Sequence, residues 1–84
     1  MKTNKTLSNH PTLVNDCFRI NVNLNTASRC FRSAQDSMAR YNADNGCFPG
    51  TIDLDLDAAI ENLQEAVQKL RALKNAYKVY ATEL

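Results

Sequence analysis

Apolar residues in the first half of the chain recur at alternating steps of four and three: Leu13, Cys17, Ile20, Leu24, Ala27, Phe31, Ala34, Met38 and Tyr41. A mean step of about 3.5 residues is a heptad seam, which lines these side chains along one side of a helix. A helix with one apolar line needs a second helix to cover it. The second half offers Leu56, Ala59, Ile60, Leu63, Ala66, Val67, Leu70, Leu73, Ala76, Tyr77, Tyr80 and Leu84 at helical spacing. The pattern predicts an all-α antiparallel helical hairpin, with helix 1 over 11–43 and helix 2 over 55–82. A flexible segment, 1–9, precedes a single hairpin domain, 10–84.

Local chemistry supports these limits. His10-Pro11 reads as a helix entry, because proline is tolerated where the first N–H has no intrahelical partner. Thr12 is an alternative cap, and Asp16 is placed in the first turn, where negative charge is favoured. Asn45 or Gly46 can take the left-handed conformation that ends helix 1, and Cys47-Phe48-Pro49-Gly50 is turn chemistry. Asp53, Asp55 and Asp57 mark the start of helix 2.

The apolar face of helix 2 is wider than a two-helix seam requires. Ile60 and Val67 flank one side of it, and Ala59, Ala66, Leu73 and Tyr80 flank the other. A helix that touches two neighbours needs such breadth. The width therefore predicts that hairpins pair into a four-helix bundle, or that the hairpin docks on a partner.

Two stretches argue for a different fold. Phe18, Ile20, Val22 and Leu24 alternate with polar residues, as do Ile52, Leu54 and Leu56. As strands they would give the order β-α-β-α. The helical reading is preferred because alternation over three or four residues is common, whereas a sustained heptad rarely arises by chance. On a helix, Val14, Phe18 and Val22 form a second apolar line away from the seam. They are the expected partner-binding residues, with Arg29 and Arg32 at the rim.

Composition narrows the function classes. The 84 residues allow one domain and a thin core. The net charge is +1, against the strongly basic balance of nonspecific nucleic-acid or membrane-surface binders. Residues 1–46 carry six bases against three acids and residues 47–84 four against six, so the halves differ, +3 against −2. An antiparallel hairpin sets the basic end of helix 1 beside the acidic start of helix 2, which favours that partner choice more than it adds stability. No apolar run reaches the ~20 residues of a membrane span. Cys17, Cys30 and Cys47 are odd in number and irregular in spacing, which fits the reducing cytoplasm better than a disulfide framework.

No catalytic or metal motif emerges. His10 is the sole histidine, so any Ser-His or Cys-His pair would depend on it, and it stands at a helix entry. Three scattered cysteines and one distant histidine lack zinc-ligand spacing. The register that begins at Asp53 has Ala58 and Gln64 where a calcium loop needs glycine and glutamate. The expectation is a small non-catalytic protein–protein interaction module without cofactor or metal. Such a module acts as a regulator or inhibitor by occupying a surface of a larger macromolecule, and its partner is another protein or itself. Small regulators encoded by mobile elements have this size. One alternative is an RNA- or DNA-binding regulatory hairpin using Arg29, Arg32 and Arg40, which near-neutral charge disfavours. Another is a structural subunit of a larger assembly.

Overall fold

A computed structural model describes residues 6–41 and 50–83. A 3₁₀ turn, Leu7–Asn9, leads into α1, Pro11–Ala39, and α2 spans Thr51–Ala81. No strand occurs among the described residues. The β-α-β-α alternative is thereby overturned: 18–25 lies inside α1 and 52–57 inside α2. The alternation of Ile52, Leu54 and Leu56 is incidental to a helix in which Ile52 is buried and Leu54 exposed.

The helices run antiparallel. The His10 ring, before α1, stacks on Tyr80 near the end of α2, with centroids 3.9 Å apart. Midway, the Asn23 side chain reaches Asn62, Glu65 and Lys69. The entry to α1 is as expected: His10 is the N-cap, its Nδ1 accepting from the Thr12 N–H at 3.3 Å, and Pro11 occupies the first helical position. Asp16 falls beyond the first turn, which contains no acid.

α2 begins four residues earlier than expected. Ile52 supplies the reason, because it lies seven and fourteen residues before Ala59 and Ala66, and all three are buried. Extending the helix backwards by one turn adds Ile52 to the seam. Of the three aspartates only Asp53 remains in the first turn, and Gly50 caps the helix without a side-chain hydrogen bond. α1 ends at Ala39, four residues short of the expected 43, with Arg40 as its C-cap and the Arg40 N–H donating to the Asp36 carbonyl. The expected stop at Asn45 or Gly46, and Cys47 in the turn, lie outside the described residues.

The core is narrow. Its apolar members are Leu13, Ile20, Ala27 and Ala34 from α1 and Ile52, Ala59 and Ala66 from α2, each set at intervals of seven. Alanines in the middle let two helices approach closely, but they remove little apolar area from water. No large side chain is fully buried among the described residues. The Cα radius of gyration is 19.2 Å, where a compact domain of this length has about 12 Å. The smallest extent, 12 Å, is one helix diameter. The chain is thus a single layer of two helices, whereas stable domains generally pack two.

Candidate functional site: one apolar and one polar face

The seam read from sequence is half right, and the error defines the surface. Leu13, Ile20, Ala27 and Ala34 face α2 as expected. Cys17, Leu24, Phe31 and Met38 do not: all four are exposed. Their places in the seam are taken by the residues one position earlier, Asp16, Asn23, Cys30 and Ser37, which are half-buried or buried. The helix is rotated so that large apolar side chains turn outward and small or polar ones turn inward. Cys17 accordingly lies at the surface rather than in the seam, and Cys30 is half-buried.

A polar cluster explains the rotation. The Asn23 Nδ2 amide donates to Asn62 Oδ1 at 3.0 Å and to Glu65 Oε2 at 2.9 Å, while its Oδ1 accepts from Lys69 Nζ. Asn62 Nδ2 donates in turn to the Ala58 carbonyl at 2.8 Å. Asn23 is 5% exposed and makes three hydrogen bonds, both amide hydrogens donating and Oδ1 accepting. No buried side-chain nitrogen or oxygen lacks a partner among the described residues. A satisfied buried asparagine fixes register, since any slip would strand polar groups in the seam. The ion pairs Arg40–Asp36, at 3.1 Å, and Lys69–Glu65, at 3.9 Å, each lie within one helix. The pairing of α1 with α2 is therefore chosen by the asparagine cluster and the alanines, with no ion pair between helices among those described.

On the opposite side of the seam the surface is dry. Leu24 and Phe31 of α1 share a groove of about 370 Å³ with Leu56, Ile60 and Leu63 of α2. Nearer the chain ends, Leu13, Val14, Cys17 and Phe18 line a groove of about 590 Å³ with Leu7, Leu73 and Tyr77. Cys17, Leu24, Phe31 and Met38 form one stripe at seven-residue intervals, and Leu56, Leu63, Leu70 and Tyr77 form another. The wet face has a smaller groove lined by Asp16, Arg19, Lys69 and Ala72.

The five residues singled out from sequence are all exposed. Val14 and Phe18 border the larger groove, and Phe18 is 65% exposed. Val22 lies one turn beyond Phe18, outside that groove, where its carbonyl accepts from Thr26 Oγ1 at 2.8 Å. Arg29 shares Val22's line on the helix, and Arg32 shares that of Phe18, since each pair is spaced by whole heptads. The arginines lie about 16 and 21 Å along the axis from Phe18, at 1.5 Å per residue. The structure therefore brings Val14 and Phe18 together and sets Arg29 and Arg32 apart from them.

Sequence reasoning missed Asn23, Asn62 and Lys69. The available signal was the seven-residue spacing of Asp16 with Asn23, and of Asp55, Asn62 and Lys69, one step away from alanines repeating at the same interval. Among the described residues no cluster of histidine, cysteine or acid could hold a metal ion, and no helix is long and apolar enough to cross a membrane. No protein-family model, no curated protein and no solved structure matches this chain.

Proposed function

We propose that this chain is a small non-catalytic protein–protein interaction module, a regulator or inhibitor that acts by occupying a surface of a larger protein. The observation that carries this reading is the apolar groove of about 590 Å³ bordered by Val14 and Phe18. Its volume suits one or two bulky anchor side chains, the usual centre of a binding interface. The seam beneath it is set by Leu13 and the His10–Tyr80 stack, so the groove presents a built surface to a partner. Arg29 and Arg32 serve as the distal rim of a footprint that runs along the outer ridge of α1. The reducing cytoplasm suits its unpaired Cys17 and Cys30.

The test is capture from the native host with the intact protein as bait. Phe18→Asp should abolish capture while circular dichroism stays helical, because Phe18 is mostly exposed and contributes little to the hairpin. Unfolding by the same substitution would show that Phe18 belongs to a core and refute the docking surface. Binding that falls steeply with salt and disappears in Arg29→Gln/Arg32→Gln would instead select the nucleic-acid reading.

A further inference from the structure

α2 carries a second heptad seam, turned toward the dry face, that α1 borders along one side and leaves mostly open. Leu56, Ile60, Leu63, Val67, Leu70 and Tyr77 follow steps of four and three, with the intervening step at Lys74 and an earlier one at Asp53. Ile60, Leu63, Val67 and Leu70 are between 44% and 52% exposed. Ile60, Leu63 and Val67 line a shallow groove along α2. This free seam is more apolar than the one α2 uses against α1, which includes Asp55, Asn62 and Lys69.

We propose that the occupant of this seam is α2 of a second copy, lying antiparallel to it about a two-fold axis at Leu63. The sequence around Leu63 is self-complementary in that arrangement. Leu56 meets Leu70 of the second copy, Ile60 meets Val67, and Asp53 meets Lys74. Each pair is related by the same centre within half a residue. An isologous contact requires this reciprocity, because every pair is made twice. Opposite charges at both ends favour the antiparallel arrangement and penalise the parallel one, which would oppose like charges. Leu24 and Phe31 of α1 lie beside Leu63 and Leu56, so the same axis stacks α1 on its counterpart and completes a four-helix bundle.

The areas agree. The chain exposes 6660 Å², and a compact monomer of 9.4 kDa exposes about 5,000 Å². The dry face is about 45 Å long and two helices wide, a footprint on the order of 900 Å². A standard stable interface removes roughly 800 Å² from each partner.

This pairing names one partner for the interaction module proposed above and rests on that reading, but the two can fail separately. Sedimentation equilibrium over a micromolar concentration series measures the dimer directly. The wild-type chain should sediment as a dimer. Leu63→Glu should weaken dimerisation by more than about 100-fold, since it sets two carboxylates together at the apolar axis. Asp53→Lys or Lys74→Asp alone should weaken it roughly three- to tenfold by opposing like charges twice, and the double reversal should restore it. A monomeric wild type overturns the proposal, as does a dimer untouched by Leu63→Glu. Failure of the double reversal to restore affinity overturns the antiparallel arrangement about Leu63. A monomer that captures a different protein through this seam also overturns it, yet leaves the interaction-module reading in place. Phe18 borders the same dry face, so Phe18→Asp is sedimented beside the capture assay. Loss of capture with the dimer mass retained supports a separate partner surface at Phe18. Loss of both assigns Phe18 to the dimer contact and overturns that separate surface.

Discussion

The two seams of α2 invert the usual relation between burial and hydrophobicity. The seam against α1 holds Ala59 and Ala66 beside Asn62 and Lys69, while the outward seam holds Leu63, Val67 and Leu70. The inner seam trades buried area for definition: alanines permit close approach, and one satisfied asparagine cluster fixes the register. The outer seam holds the larger apolar side chains and leaves them about half exposed. The hairpin's own contacts thus decide which apolar residues it leaves exposed.

Overfilling the inner seam should have the largest effect. Ala34 is completely buried, and Ala34→Leu should destabilise by roughly 1–3 kcal/mol as the helices are forced apart. Urea midpoints at fixed protein concentration measure this. The equivalent enlargement on the wet face, Ala72→Leu, should shift the midpoint little, since Ala72 is exposed. Asn23→Ala comes next, at about 1–3 kcal/mol, because it leaves Asn62 and Lys69 without a part-buried partner. If Asn23→Ala unfolds at the wild-type midpoint, the cluster does not fix the hairpin.

Smaller effects belong to the ends. His10→Ala removes both a cap and the stack on Tyr80 and should lower stability by about 1 kcal/mol. Gly50→Ala should raise it by about 0.4–1 kcal/mol. Gly50 has φ −60° and ψ −18°, which alanine adopts freely, and a Cβ there meets nothing within 4 Å. A thermal melt of each variant decides the sign.

The hairpin was legible because the interval of seven is visible whichever residues share it. Leu13, Ile20, Ala27 and Ala34 identify the buried line in sequence and structure alike. The rotation about that line was not legible. Cys17, Leu24, Phe31 and Met38 outrank Asp16, Asn23, Cys30 and Ser37 in hydrophobicity, so a reading by burial alone selects the wrong set. That reading assumes one seam per helix, whereas a helix with two neighbours divides its apolar residues between them. The start of α2 was misplaced for a related reason: three aspartates read as a cap, although the seven-residue interval runs back to Ile52. For the partner surface, the apolar line through Val14 and Phe18 was visible. Its separation from Arg29 and Arg32 follows from the rise along the helix, which a list of candidate residues does not convey.

The most direct test of this division is nuclear magnetic resonance of the Asn23 side-chain amide in the Leu63→Glu variant, which the proposed pairing expects to be a single hairpin. The expected result is a slowly exchanging amide with cross-peaks to Asn62 and Lys69, while Leu24 and Phe31 show no contact with Ala66. A solvent-exchanging Asn23 amide, with Leu24 packed against Ala66 instead, would mean that the hairpin closes on its large apolar residues and that no second seam is left to fill.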